Sequence, residues 1–241
     1  LALVCGNAVL WKPAENASLT AARMAELFAG AGLPAGTLNL VIGKGSVIGD
    51  ALLAAADAVS FTGSTATGLR VAAACAARNV KFQTEMGGKN AAVVLKDADL
   101  DVAVPAVVSG AFRSAGQKCT ATSRIIVERP IYDEFVSRLA EETGKLSMGR
   151  ALEPGRFLGP VASKEQFAGV TRYAELAKAN GEAIAEAPEP GDLPEGYYVR
   201  PLVVGGLPAD HALVQEEVFG PLAVVLRAED EEEAIRLTNR T

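Results

Sequence analysis

The residue best suited to nucleophilic chemistry is Cys119, which follows a predicted helix and a glycine turn in the segment Gly-Gln-Lys-Cys-Thr. The neighbouring cation of Lys118 favours the thiolate, which is the reactive form of a cysteine. The alternative interpretation is a small buried apolar residue, as most free cysteines are. Cys5 and Cys75 lie in alanine-rich apolar segments, and for both we expect a place in the core.

A candidate general base is Glu85, which ends an apolar strand pattern and precedes two glycines, Gly87 and Gly88. We expect a carboxylate in this position to be half-buried, and burial would make it a stronger proton acceptor. A structural glutamate held in an ion pair is the alternative.

Two glycine turns after predicted strands are suited to binding phosphate, because backbone N–H groups at the start of a helix attract anions. Gly43 begins a GxGxxxG spacing that ends at Gly49, one residue longer than the common dinucleotide fingerprint. Gly63 lies in the second turn, before Ser64 and Thr65. A plain strand-to-helix turn and simple helix capping by either hydroxyl stay open as alternatives.

These residues are carried by short apolar runs that alternate with amphipathic segments. The alternation predicts βαβ units, a mostly parallel sheet and therefore an α/β fold, with a boundary between two lobes at residues 85–88. Residues 144–159 and 181–196 are predicted to be loops. Strands are predicted at 8–10, 38–42, 58–61, 80–84, 91–95, 124–127, 198–204 and 222–226, and helices at 18–31, 65–77, 99–114, 131–143, 164–180 and 231–241, with a further short helix that ends near 56.

Three local signals refine this pattern. Ser163 and Gln166 have the spacing of a capping box at the start of a helix. Pro105 falls inside a helical pattern and should kink that helix or mark its first turn. The apolar residues between Met24 and Ala31 recur at helical spacing and form one face.

The composition argues against several classes of function. The chain has 241 residues, 49% of them hydrophobic, and a formal net charge of −6, which gives no reason to expect a nucleic acid partner. No apolar run is long enough to span a bilayer. The single histidine, His211, and the lack of a CxxC pair argue against a zinc site. Widely separated cysteines and no visible signal peptide favour a reducing compartment such as the cytoplasm.

Five motifs together are much more specific than any one of them. In order, spacing and residue type they resemble the NAD(P)-dependent aldehyde dehydrogenase superfamily from end to end. The motifs are Lys12-Pro13-Ala14-Glu15, Phe61-Thr62-Gly63-Ser64, Glu85-Met86-Gly87-Gly88-Lys89-Asn90, Gly116-Gln117-Lys118-Cys119 and Glu216-Glu217-Val218-Phe219-Gly220-Pro221.

The resemblance implies a Rossmann-type parallel sheet that includes residues 1–86 and an α/β catalytic domain that includes residues 87–241, with both domains incomplete. Leu1 to Trp11 has the pattern of a buried segment, and Glu231 to Thr241 is helical without a stop signal. We therefore expect a central fragment of the enzyme. The second oxyanion donor of the family, an asparagine amide, would lie upstream, and the full-length protein would form a homodimer or homotetramer.

The resemblance also implies catalytic and cofactor-binding roles. The family's catalytic cysteine attacks the aldehyde carbon and its glutamate activates the hydrolytic water, which gives these roles to Cys119 and Glu85. The residues that the resemblance assigns to NAD or NADP are Lys12 and Glu15 at the adenosine ribose, Gly63 and Ser64 at the pyrophosphate, Glu217 at the nicotinamide ribose and Phe219 beside the nicotinamide. Gly43 is a further candidate because of its own glycine turn. Glu15 would repel the 2′-phosphate of NADP, which favours NAD, but Lys12 can offset that repulsion.

The substrate hypothesis depends on Arg113, which stands six residues before Cys119. In semialdehyde dehydrogenases of the family an arginine at this position binds the distal carboxylate, for which a guanidinium has bidentate geometry. The implied substrate is an acidic semialdehyde such as succinate or α-ketoglutarate semialdehyde, and an ordinary exposed arginine is the alternative. Two other functions stay open: a cysteine hydrolase in which His211 activates Cys119, and a catalytically inactive binding fragment.

Overall fold

Two units divide the chain in the computed structural model, which describes residues 1–241: Leu1–Gly87 and Gly88–Thr241. Both contain parallel strands joined by helices, so the predicted α/β class is confirmed. None of the helices combines the length and the hydropathy that crossing a bilayer requires.

The first unit alternates strands with helices in chain order. Its elements are β1 (Val9–Trp11), α1 (Ser18–Gly30), β2 (Leu38–Leu40), α2 (Gly45–Ala55), β3 (Ala58–Thr62), α3 (Thr65–Ala77) and β4 (Lys81–Glu85). β1 pairs with β2 and β3 pairs with β4, both in parallel. Parallel neighbours need a crossover connection, which α1 and α3 provide.

Several apolar residues of the first unit are exposed. The predicted helix α1 is confirmed, but Leu27 on its apolar face is 63% exposed. The expectation that Leu1 to Trp11 is buried is wrong, because Val4 is 90% exposed. A core position is also wrong for Cys5, which is exposed, and right for Cys75, which is buried.

The second unit is built around one five-stranded sheet. Its elements are β5 (Ala91–Val94), α4 (Leu100–Phe112), β6 (Arg124–Glu128), α5 (Tyr132–Gly144), α6 (Lys164–Asn180), β7 (Glu182–Glu186), β8 (Leu202–Gly205), α7 (Ala212–Gln215), β9 (Leu222–Ala228) and α8 (Glu231–Thr238). The strand order is β5-β6-β9-β8-β7, and only the pairing of β7 with β8 is antiparallel.

Both faces of this sheet are covered, which explains why its central strands read as continuous apolar runs. Successive residues of a strand point to opposite faces. Ile125 and Val127 of β6 accordingly pack with α4 and α5, whereas Ile126 packs with α6 and α8. The unit therefore has three layers, with the sheet between two pairs of helices.

One strand of this sheet was not predicted. Residues 181–196 are expected to be a loop, but Glu182–Glu186 forms β7 at the sheet edge. The segment Glu-Ala-Ile-Ala-Glu has a single β-branched residue and two charges, so its local pattern does not favour a strand. Pairing with β8 supplies the stabilisation that the local sequence lacks. The predicted strand 198–204 is correspondingly shorter and begins at Leu202.

Helix starts follow the predicted capping chemistry more closely. Asp99 caps α4 by accepting a hydrogen bond from the Asp101 N–H at 2.9 Å. Ser163 caps α6 through the Gln166 N–H at 3.1 Å. Pro105 lies in the second turn of α4 and not in its first, and the helix continues to Phe112.

Candidate functional site

The turn that carries Cys119 has an unusual backbone. After α4 ends, Ser114, Ala115 and Gly116 all adopt positive φ, at 58°, 54° and 68°. Side chains disfavour the left-handed region, so such residues persist only where the surrounding structure holds them, often at functional sites. Cys119 follows this turn as an exposed thiol.

A second loop, residues 216–221 between α7 and β9, approaches the same turn through Gly220. A Cβ placed on Gly116 would lie 2.6 Å from the carbonyl carbon of Gly220, and one placed on Gly220 would lie 2.6 Å from Val170. Phe219, next to Gly220, also has a positive φ of 52°. The two loops therefore meet as bare backbone, at a distance that no side chain permits.

The carbonyl of Cys119 is held by Asn90. The Asn90 Nδ2 donates to the carbonyl oxygens of Cys119 at 2.6 Å and Ala121 at 3.2 Å. Gln117 spans the same turn, because its amide nitrogen donates to the Ser114 carbonyl at 3.2 Å and its Oε1 accepts from the Ala162 N–H at 2.9 Å. These amides fix the backbone on which the thiol stands.

Glu217 and Phe219 lie on the second loop. The Glu217 Oε1 accepts from the Gly88 N–H at 3.3 Å, and Gly88, Gly116, Glu217 and Phe219 line one shallow cavity. Gln166 holds the loop by donating from Nε2 to the carbonyl of Phe219 at 2.6 Å and to that of Val218 at 3.2 Å. Of the predicted capping box, the hydrogen bond from the Gln166 N–H to Ser163 is present, whereas the Gln166 side chain bonds the neighbouring loop.

Lys89 is a buried cation beside this loop. It is 9% exposed, and its Nζ has no hydrogen-bond partner. Burial, and to a lesser extent the charge of Arg124, lower the pKa of Lys89 to about 8, while the carboxylates of Glu217 and Glu216 act in the opposite direction. Sequence reasoning missed the burial of Lys89, because the residue follows two glycines and no apolar pattern surrounds it.

Arg113 is exposed directly before the turn of residues 114–116, and two contacts hold it. Its Nε donates to the Ser109 Oγ at 3.1 Å, and its guanidinium carbon lies 5.2 Å from the centroid of the Phe157 ring. Its one side-chain hydrogen bond is made through Nε, so both terminal nitrogens are left without a partner in the chain.

The first unit brings Lys12, Glu15 and the Gly43 turn together. The Lys12 Nζ donates to the carbonyl of Gly43 at 3.4 Å and to that of Pro13 at 2.7 Å. The Glu15 Oε1 accepts from the Gly45 N–H at 3.4 Å, at the start of α2. A cation, a carboxylate and a helix N-terminus thus converge.

Gly63 and Glu85 meet at the ends of β3 and β4. The Gly63 N–H donates to the Glu85 carbonyl at 3.1 Å, and Ser64 caps α3 by accepting from the Thr67 N–H at 3.4 Å. The Glu85 carboxylate accepts from Gln83 at 2.9 Å. The expected half-burial of Glu85 is wrong for this chain, because the residue is exposed at the end of its strand. Its role as a base stays a prediction.

Two further assignments concern single residues. Cys119 and Glu85 belong to different units, so their pairing in one site stays a prediction. His211 caps α7, where its Nδ1 accepts from the Leu213 N–H at 3.1 Å. A neutral imidazole has one acceptor nitrogen, and here that nitrogen is occupied, which weighs against His211 as the base of a cysteine hydrolase.

Comparisons with known proteins point to one family. Residues 1–241 match the aldehyde dehydrogenase family. The chain is 43% identical to the alpha-ketoglutaric semialdehyde dehydrogenase of Bacillus subtilis and 41% identical to the 2,5-dioxopentanoate dehydrogenase of Saccharolobus solfataricus, and each match covers 99% of this chain and 50% of the relative.

Solved structures give the same picture. A betaine aldehyde dehydrogenase from Staphylococcus aureus, crystallised with NAD+, superimposes with a TM-score of 0.92 at 36% identity, over 99% of this chain and 48% of that one. A Burkholderia cenocepacia protein described as a putative aldehyde dehydrogenase has the same TM-score at 42% identity, over 99% and 51%. The chain thus spans about half the length of the relatives it matches.

Proposed function

Because the chain belongs to the aldehyde dehydrogenase family, we propose that its protein oxidises an aldehyde to a carboxylic acid with a nicotinamide cofactor. Residues 1–86 would contribute to the cofactor domain and residues 87–241 to the catalytic domain. The observation that carries the proposal is the turn of residues 114–116. Three left-handed residues there precede an exposed Cys119, whose carbonyl is held by Asn90.

The chemistry divides between two residues. In this proposal the Cys119 thiolate attacks the aldehyde carbon, and the backbone N–H of the same residue would stabilise the resulting oxyanion. A bound nicotinamide supplies the acceptor for the hydride that leaves this carbon, so that a thioester remains on Cys119. Glu85 removes a proton from water, which attacks the thioester, and the thiolate departs as the acid is released.

Each unit, taken by itself, offers residues suited to part of a dinucleotide. In the first unit Lys12 and Glu15 offer a cation and a hydroxyl acceptor beside the Gly43 turn, and Gly63 and Ser64 form a second glycine turn at a helix start. In the second unit Glu217 would accept from a ribose hydroxyl, and Phe219, which is 38% exposed, offers a ring face to the nicotinamide.

NAD is the cofactor we propose, because the Glu15 carboxylate would repel the additional phosphate of NADP. The kcat/KM for NAD+ should therefore exceed that for NADP+, and Glu15→Gln should reduce the ratio of the two values. A ratio that is unchanged by Glu15→Gln would remove this argument.

The test of the activity uses the full protein that contains this chain. Succinate semialdehyde and NAD+ should yield reduced cofactor, which is measured by its absorbance. Cys119→Ala should abolish this signal. The exposed Cys5 is a matched control, since Cys5→Ala removes the other accessible thiol and should retain activity. Retained activity in Cys119→Ala would contradict the mechanism.

Glu85 has a separate test. Glu85→Gln should retain one turnover of cofactor reduction per site and lose steady-state turnover, because thioester hydrolysis needs the base and thioester formation does not. Loss of the first turnover as well would assign Glu85 another role.

The proposed substrate class is an aldehyde that bears a carboxylate. Arg113 supports it, because its guanidinium is exposed, oriented and without an acidic partner. Arg113→Ala should raise KM for succinate semialdehyde and leave KM for butanal, a neutral aldehyde of equal carbon number, near its original value. Arg129→Ala is the matched control, since it removes an exposed arginine from a surface ion pair with Glu229. Equal effects on both aldehydes would exclude the carboxylate role.

A further inference from the structure

The orientation of Arg113 depends on residues that lie outside every motif. The side chain leaves the end of α4, where Ser109, one turn earlier, accepts from its Nε at 3.1 Å. Phe157, from the loop between α5 and α6, presents its ring 5.2 Å from the guanidinium carbon. A cation over an aromatic face at this distance is attracted by the ring quadrupole.

The Phe157 ring is held independently of Arg113. Its backbone N–H donates to the Ser147 carbonyl at 2.9 Å, and the next residue, Leu158, pairs with Met148 in a short parallel bridge. The ring is partly buried and packs against two hydrophobic clusters of the second unit. The position of the ring is therefore set by contacts that do not involve Arg113, and the guanidinium packs against it.

We propose that Phe157, together with Ser109, is a positioning residue that determines specificity for carboxylate-bearing aldehydes. The inference rests on the proposed function and extends it. With the Nε bound to Ser109 and the guanidinium on the ring, both terminal nitrogens are left for one carboxylate. A guanidinium that is oriented in advance loses less conformational freedom when the substrate binds.

A purely structural role for Phe157 predicts something different. If the ring only fills space between two clusters, then replacing it lowers stability and affects every aldehyde equally. If the ring orients Arg113, then the effect depends on the charge of the substrate. The comparison of charged with neutral substrate separates the two roles.

The experiment uses the full protein, NAD+, succinate semialdehyde and butanal. Phe157→Leu keeps an apolar side chain and removes the ring, and it should raise KM for succinate semialdehyde by about 3- to 10-fold while kcat and the KM for butanal stay within about 2-fold. Phe157→Tyr retains the ring and should restore the original KM. Thermal unfolding of both variants verifies folding.

Phe167 provides a matched control. It is also partly buried and packs against one of the clusters that Phe157 contacts, but its ring neighbour is Tyr197 and not an arginine. Phe167→Leu should therefore change KM for the two aldehydes by the same factor.

The outcomes distinguish this inference from the proposed function. If Arg113→Ala discriminates between the aldehydes and Phe157→Leu does not, the positioning role is excluded and the carboxylate site stands. If Arg113→Ala changes KM equally for the two aldehydes, the carboxylate role of Arg113 and the positioning role of Phe157 are both excluded. In the Arg113→Ala background Phe157→Leu should have no additional substrate-specific effect, and an additional loss confined to succinate semialdehyde would overturn the inference.

Discussion

The contact between the two loops makes Gly116→Ala an informative substitution. Two costs are expected. Alanine at a φ of 68° is disfavoured by about 1–2 kcal/mol. Its Cβ would also lie 2.6 Å from the Gly220 carbonyl carbon, whereas ordinary contacts begin at 3.4 Å, so one loop must retreat by about 1 Å.

Gly155 isolates the second cost. It also has a positive φ, 81°, but a Cβ there meets nothing within 4 Å. Gly155→Ala should therefore lower the free energy of unfolding by about 1–2 kcal/mol, and Gly116→Ala by about 2–5 kcal/mol, because displacing packed atoms adds about 1–3 kcal/mol. Urea unfolding of the two variants measures the difference.

The same pair tests function. A displacement of about 1 Å near a reacting group can reduce turnover by about 100-fold, so if Cys119 is the proposed nucleophile, kcat should fall strongly in Gly116→Ala and little in Gly155→Ala. Equal losses of stability in the two variants would show that the close approach of Gly116 to Gly220 does not hold the turn. Unchanged kcat in Gly116→Ala would refute the link between this contact and Cys119.

Three other substitutions test polar side chains of the second unit, of which those of Lys89 and Arg124 are buried. Asn90→Ala should lower the free energy of unfolding by about 1–3 kcal/mol and slow turnover, because it frees the Cys119 carbonyl. Arg124→Met should cost about 3 kcal/mol or more, because the buried guanidinium bonds the carbonyls of Lys89 and Leu237. Lys89→Met should stabilise the protein below pH 8, and this advantage should shrink as pH rises from about 8 to 10.5.

The sign of the last prediction follows from the lowered pKa of Lys89. Below pH 8 the lysine is charged in both states, so its burial is fully unfavourable. Between about 8 and 10.5 the unfolded state binds more protons than the folded state, and stability rises with pH. Urea unfolding between about pH 8 and 10.5 tests this prediction. The measured quantity is the difference in free energy of unfolding between the original protein and Lys89→Met. A difference that stays constant with pH would contradict the prediction for Lys89. Unchanged stability of Asn90→Ala or Arg124→Met would contradict the prediction for that variant.

Much of the fold could be predicted from short stretches of sequence. Ser64, Asp99 and Ser163 begin helices where their types and spacing indicate, because capping depends on residues two or three positions away. The strand and helix pattern, and with it the α/β class, follows from periodicity within a dozen residues. The same locality explains the failure at β7, whose polar sequence forms a strand only because β8 is available.

The sequence by itself determined the α/β class and the candidate reacting groups that we propose, because a thiol or a carboxylate carries its chemistry wherever it stands, and the motifs around Cys119 and Glu85 single them out. Only the tertiary structure decided how the groups of each unit are held. Asn90 is 29 residues from Cys119, Gln166 is 53 from Phe219, and Phe157 meets Arg113 across an intervening strand and helix. No local pattern encodes such contacts, since they arise when distant segments pack on a common sheet and loops meet where glycine lets backbones touch.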